Sequence, residues 1–443
     1  MNKAVMALML AANGRNMGCD SRKNCLSYFK DFFSFMRAAL RTKSYEDAVT
    51  SQELSNTFIG VVISLTHRLI AGLFLHTSHR KEMIGFLSAL IEQSSARRLE
   101  EGLMWEEIVE IDRALRGLIK HYPNGPLMKT LDTFREDEVK WGFDPFEQEN
   151  FPSQLYTFVA DELHVSVLRI PAPIHQEVIN RVEVVEEFQA FLRALQHEMQ
   201  GQHHLMFNLQ ERTSWKEYAR CTALEELQKE AEFSNALTVV TFNKNGDFYF
   251  QKGVYQYLDE ADVFISTFLQ QIDGQEGCGF YFPPSLSFNE LKSFAKDALG
   301  LIHQQFFSAK ALLSRKERLD FIEIFTQFFF LKIIMMVKPD SISFTCKDAI
   351  DTGEAQAAAF FSFLRMMGNT APWSREEREF LFWMLHAPAL LLRERLMDPI
   401  RFARFTSALT HLDQALVRGR PAIIEATRRL LPSPSAALPR IAA

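Results

Sequence analysis

The sequence lacks clusters of positive charge. Its 49 Lys and Arg residues are scattered along 443 residues and are outnumbered by 55 Asp and Glu residues, which gives a formal net charge of −6 at pH 7. Proteins that bind nucleic acid concentrate basic side chains on one face or in one tract. We therefore expect no nucleic-acid partner.

Cysteine is scarce as well. The five cysteines form no Cys-x-x-Cys pair and no metal-ligand spacing; they are Cys19, Cys25, Cys221, Cys278 and Cys346. This pattern fits a reducing environment better than a disulfide scaffold. We expect neither a metal nor a cofactor.

Long uncharged runs are also missing. The two longest apolar stretches are residues 56–76, with His67 and Arg68 in the middle, and residues 325–337, interrupted by Lys332. A membrane span needs about 20 largely uncharged residues. The sequence therefore predicts no transmembrane segment.

The chain is instead rich in phenylalanine, with 40 residues, and 47% of it is apolar. From about Leu26 to Phe134, apolar residues recur at three- and four-residue spacing, for example at residues 81–93, which predicts helices. The charged stretch at residues 135–152 marks the end of this helical region, which spans residues 26–150. Residues 1–25 carry one lysine before a short apolar run, MNKAVMALMLAA. This N-terminal segment is a weak match to an export signal, and a plain helix is the alternative.

Short strand-like runs alternate with helices in residues 151–430: LHVSVLRI, HHLMFNLQ, ALTVVTF, DFYF after an NKNG turn, and SISFT. This alternation predicts an α/β fold with a mixed sheet flanked by helices, together with the helical N-terminal region. Four Ser-x-x-Glu sequences, beginning at Ser214, Ser287, Ser314 and Ser374, predict capping boxes at helix starts. Residues 431–443, rich in Pro, Ser and Ala, predict a disordered tail.

The most informative stretch is SISFTCKDAIDTGEAQAAAFFSFLRMMGN, residues 341–369. SISFT predicts a strand, and the alanine- and phenylalanine-rich run predicts a helix that starts near Asp351 and Thr352. Cys346 then lies where loop amides and the positive end of a helix dipole converge, which favours anions and lowers a thiol's pKa. Such a thiolate can attack phosphorus, with Asp348 or Asp351 as the acid that protonates the leaving alcohol.

The spacing of Cys346, Lys347, Asp348 and Asp351 resembles the phosphate loop of the Cys-x5-Arg phosphoinositide phosphatases. It is similar to the branch with aspartates at the third and sixth positions, which includes Sac-type, myotubularin-type and bacterial effector phosphatases. The upstream runs 208–221 and 238–255 also resemble the effector-type branch. The resemblance implies a phosphocysteine at Cys346, phosphate binding by Lys347, a general acid at Asp348 and a structural acid at Asp351.

The chain departs from that family at one position. The family arginine corresponds to Thr352, which precedes Gly353 in the predicted phosphate-binding loop. A threonine hydroxyl carries no charge and cannot make a bidentate contact with phosphate. We therefore expect impaired or absent turnover unless another arginine enters the site, and Arg212 is the first candidate.

Two other arginines, Arg220 and Arg365, also follow the predicted strands of this region. Arg220 follows the strand at residues 203–210. Arg365 lies 13 residues beyond Thr352, or about 20 Å along a helix, which is too far for direct contact.

Three interpretations stay open at this point. The chain is a cysteine-dependent phosphoinositide phosphatase; or it is a pseudophosphatase binding module or secreted bacterial effector that recognises a lipid headgroup or a protein; or the loop matches the motif by chance. The resemblance implies a phosphoinositide headgroup at a membrane surface as the ligand. It is compatible with a bacterial cytoplasm or with delivery into a host cytosol, and it identifies no protein partner.

Overall fold

The computed structural model describes residues 1–14, 20, 22–50, 57–77, 84–85, 87–89, 104–125, 128–129, 131, 142–432 and 438–442. The predicted helix at residues 81–93 and the start of the charged stretch at residues 135–141 fall largely outside these residues. The described part confirms the predicted fold class, a mixed sheet flanked by helices with a helical N-terminal region.

Six strands form the main sheet in the order β6-β5-β7-β2-β1-β8. The four strands β2, β5, β6 and β7 run parallel, whereas β1 is antiparallel to both of its neighbours. A separate hairpin is formed by β3 and β4. The strand bounds are β1 Ser153–Ala160, β2 Leu163–Arg169, β3 Ile174–Val178, β4 Arg181–Val184, β5 His204–Asn208, β6 Leu237–Thr241, β7 Ser341–Thr345 and β8 Arg440–Ile441.

Helices pack on both faces of this sheet. Before the sheet lie α1 Asn2–Ala11, α2 Cys25–Leu40, α3 Lys43–Thr50, α4 Thr57–Leu75 and α5 Met104–His121. Between strands lie α6 Glu186–His197, α7 Tyr218–Leu227, α8 Asp247–Phe250, α9 Ala261–Asp273, α10 Phe288–Gln305 and α11 Arg315–Val337. After β7 come α12 Thr352–Gly368, α13 Arg375–Arg393 and α14 Pro399–Leu430.

The side chains of β2, β5 and β6 are divided between two hydrophobic cores. Phe207 and Phe344 face the core formed with the later helices, whereas Met206 faces the core formed with α2, α4 and α6. Both cores include residues from the N-terminal helical region, for example Phe32 in one and Trp105 in the other. Most phenylalanines in the described residues therefore fill the space on the two sides of one sheet.

Helix α4 contains the apolar stretch Phe58–Leu75, which by length and composition could cross a membrane. A third of this stretch is buried inside the protein, and α4 packs against α6. No other helix in the described residues meets the same test.

Several local predictions were wrong. DFYF is the short helix α8, because Arg404 and Arg315 donate hydrogen bonds to its backbone carbonyls. The Ser314 and Ser374 capping boxes form as predicted, but Ser287 makes only half of one. Ser214 caps no helix.

The predicted disordered tail is ordered at its end. Arg440 and Ile441 form β8 and pair with Val159 and Phe158 of β1. Residues 433–437 and 443 lie outside the described part. The tail therefore adds an edge strand to the sheet.

Candidate functional site

Cys346 lies at the carboxyl end of β7, between β2 and β5, as the sequence predicted. The carbonyls of Cys346 and Lys347 both accept a hydrogen bond from the Ala172 amide, at 3.0 Å each. The loop reverses direction with positive φ angles at Ala349 and Asp351 and then enters α12 at Thr352. The carboxyl ends of parallel strands are the usual position of ligand sites in open α/β sheets.

The thiol does not have the environment of a nucleophile. Its S–H donates to the Ile350 carbonyl at 3.2 Å, and the Gly353 amide donates to the sulfur. Burial, with smaller contributions from the carboxylates of Asp348 and Asp351, raises the pKa of Cys346 from 9.0 to about 12. The predicted lowering of this pKa is wrong, because burial and a carbonyl dipole outweigh the helix terminus.

The two loop aspartates bind arginines at the end of α13 and just after it. Arg393 binds the Asp348 carboxylate at 2.9 Å, and Arg395 binds Asp351 through two contacts of 2.7 and 3.0 Å. Asp351 also accepts a hydrogen bond from the Asp398 amide. Both aspartates predicted as acids of the site are therefore held in ion pairs by arginine side chains.

A third arginine donates a hydrogen bond to the backbone of the loop. Arg169, at the end of β2, is 93% buried and donates to the Asp348 carbonyl at 3.0 Å and to Asn150 at 2.7 Å. It also faces the buried carboxyl of Glu354 at 3.4 Å. Burial raises the pKa of Glu354 well above its ordinary value. Arg169 therefore fixes the loop backbone rather than offering its guanidinium to a ligand.

Two other predicted phosphate contacts, Lys347 and Gly353, lie in the loop and at the start of α12. Lys347 is exposed, with its Nζ 5.1 Å from the centre of the Phe143 ring. Gly353 is needed for packing, because a Cβ there would lie 2.6 Å from the Phe344 carbonyl oxygen. Its amide is already used by the Cys346 sulfur.

The arginine predicted to replace the family residue is engaged elsewhere. Arg212 binds Glu225 and Glu276, each at 3.0 Å, and it makes no hydrogen bond or ion pair with the loop in the described residues. Arg220 binds Glu217. Arg365 binds Glu377, as its distance along α12 required. The arginines at the loop are Arg169, Arg393 and Arg395, none of which the sequence singled out.

Thr352 also has a different neighbourhood from the one that the motif implies. It is 8% exposed and lines a cavity with Lys244, Glu323 and Arg401. These side chains belong to a buried polar cluster in which Lys244 binds Glu323 at 2.8 Å and Arg404 binds it at 2.9 Å. The sequence analysis missed this cluster, although Glu323 is a charge within the apolar run FIEIF.

The described residues contain no group of three or more His, Cys, Asp or Glu side chains that could hold a metal ion. His203 and His204 point to opposite sides of β5, and His204 is buried between the hydroxyls of Ser341 and Ser343. These histidines therefore share no site.

No family model, no curated protein and no solved structure matches this chain.

Proposed function

We propose that this protein is a phosphatase-like binding module, which uses the Cys346 loop to recognise a phosphorylated headgroup, such as that of a phosphoinositide, without hydrolysing it. The observation that carries this proposal is the state of the thiol. With a pKa of about 12, Cys346 is protonated at neutral pH, and its proton is held by the Ile350 carbonyl. A protonated, partly buried thiol is a poor nucleophile.

Binding of phosphate at the loop mouth is supported by the cations that lie there. Lys347 is exposed, and Arg393 and Arg395 are 39% and 46% exposed at their side chains. Their carboxylate partners belong to the loop itself. Ion pairs at this level of exposure contribute about 1 kcal/mol or less. A phosphate dianion can therefore replace Asp348 and Asp351 as the arginines' partner at small cost.

The absence of turnover is tested by phosphate release from short-chain phosphoinositides. We expect the native chain and Cys346→Ser to release phosphate at the same background rate. Phosphate release by the native chain that is absent in Cys346→Ser would establish a phosphocysteine mechanism and overturn the proposal.

Binding is tested by calorimetry with the same soluble lipids. We expect the double variant Arg393→Gln, Arg395→Gln to lose at least tenfold in affinity, since it removes two charge-assisted contacts. Arg375→Gln is the matched control, because Arg375 also pairs with a carboxylate on α13 but lies about 27 Å from Arg393 along the helix. If the native chain binds none of these lipids, or if both variants weaken binding equally, the loop is not the site.

A further inference from the structure

A small cavity lies between α11, α12 and α14, beside the first turn of α12. The polar side chains that line it are those of Lys244, Tyr249, Glu323, Gln327, Thr352 and Arg401. Its walls are apolar and include Ile324, Phe405, Leu409 and Leu412. An apolar cavity with a few convergent polar groups is the usual form of a small-molecule site.

One cation among these side chains lacks a carboxylate partner. Glu323 is matched by Lys244 and Arg404. Arg401 is 9% exposed and donates only to neutral oxygens, those of the Lys244 carbonyl at 2.8 Å and the Asn245 side chain. Within the described part of the chain its guanidinium forms no ion pair. A buried cation of this kind gains stability when an anion is placed beside it.

A hydroxyl group in the cavity lining is also unused. Thr352 is 92% buried and lines the cavity, and its side chain makes no hydrogen bond to a described residue. It is the first residue of α12, and the capping residue Asp351 provides no side-chain hydrogen bond to the helix amides. A hydroxyl, a positive helix terminus and an unmatched guanidinium thus lie beside the cavity.

Size and charge narrow the class of ligand. The enclosed part has room for about one or two water molecules, and the remainder opens toward solvent. A single unmatched cation suits a monoanion better than a phosphate dianion. We propose that the enclosed part binds the carboxylate of a small organic acid, whose slender apolar chain extends along Phe405 and Leu409 into the part that opens toward solvent. This site does not depend on the Cys346 loop or on the function proposed for it.

The class of ligand is tested by calorimetry on the full chain with hexanoate, hexan-1-ol and inorganic phosphate as probes. We expect hexanoate to bind with a dissociation constant on the order of 1 mM. Hexan-1-ol should bind at least tenfold more weakly, and phosphate should give no signal that depends on this cavity. No heat from hexanoate at about 10 mM, or equal binding of the alcohol, overturns the proposal.

The position of the site is tested with three variants that fold cooperatively by circular dichroism. Ala408→Leu places three additional carbons in the cavity and should abolish hexanoate binding, and Thr352→Val should weaken it about tenfold. Arg395→Gln alters only the Cys346 loop and should leave it unchanged. Binding that survives both Ala408→Leu and Thr352→Val overturns the cavity site. Loss of hexanoate binding in Arg395→Gln alone would also overturn the cavity site. That result would leave the function proposed for the loop intact.

Discussion

Chemical labelling of the cysteines tests the state of Cys346 directly. Burial raises its pKa from 9.0 to about 12, a difference of three units. Each unit reduces the thiolate population tenfold near neutral pH, so the reactive form is about 1,000-fold rarer than in an unperturbed thiol. Ionisation of Cys346 therefore costs about 4 kcal/mol more than ionisation of an unperturbed thiol.

The assay is alkylation of the native protein by iodoacetamide at pH 7.5, followed by peptide mass spectrometry. Cys25 is exposed and is expected to react at the rate of an ordinary thiol. Cys346 should react at least 1,000-fold more slowly, since both ionisation and access are reduced. Cys221, which is buried and whose pKa is also raised to about 12, is the matched slow control. In denaturant all three should react alike.

The result that refutes this reasoning is fast labelling of Cys346 with slow labelling of Cys221. Such a difference would mean that the loop amides stabilise a thiolate despite the Ile350 carbonyl. The phosphocysteine mechanism would then regain its physical basis.

Four further predictions concern stability, measured as the free energy of unfolding in urea. Gly353→Ala should lower the free energy of unfolding by about 2 kcal/mol, because the new Cβ clashes with a β7 carbonyl. Gly300→Ala, in the open interior of α10, should raise it by about 0.5 to 1 kcal/mol. A loss of equal size in both variants would refute the packing role of Gly353. Burial raises the pKa of Asp320 from 3.8 to about 6, so the folded state holds an additional proton between these values and stability falls by about 3 kcal/mol as pH rises through them. Asp320→Asn should remove that fall, so its free energy of unfolding should exceed that of the native chain at pH 7 but not at pH 4. Burial lowers the pKa of His386 from 6.5 to about 3, so its effect on stability runs in the opposite direction with pH. The native chain should lose up to about 5 kcal/mol of unfolding free energy as pH falls through this range, whereas His386→Phe should show no such loss. At pH 7 that variant should lose little, because neither ring nitrogen has a hydrogen-bond partner in the described structure. Thr352→Arg should lose about 3 kcal/mol and gain no phosphatase activity, because it adds a buried cation beside two others; a gain of turnover would contradict this placement of residue 352.

Local sequence determined much of the scaffold. Alternating and apolar runs located β2, β5, β6 and β7, and the change of period after Cys346 located the start of α12 at Thr352. These features depend on side-chain periodicity, which neighbouring residues fix among themselves. The same holds for the capping boxes at Ser314 and Ser374, whose partners lie three residues away.

The chemistry of the site was decided only by tertiary structure. The arginines that bind the loop are Arg169, far upstream, and Arg393 and Arg395, some 45 residues downstream. No local sequence pattern relates them to the motif. The raised pKa of Cys346 results from its burial, which depends on everything packed around β7. A motif fixes the order of side chains along the chain, whereas charge state depends on what the fold brings within a few ångströms of them.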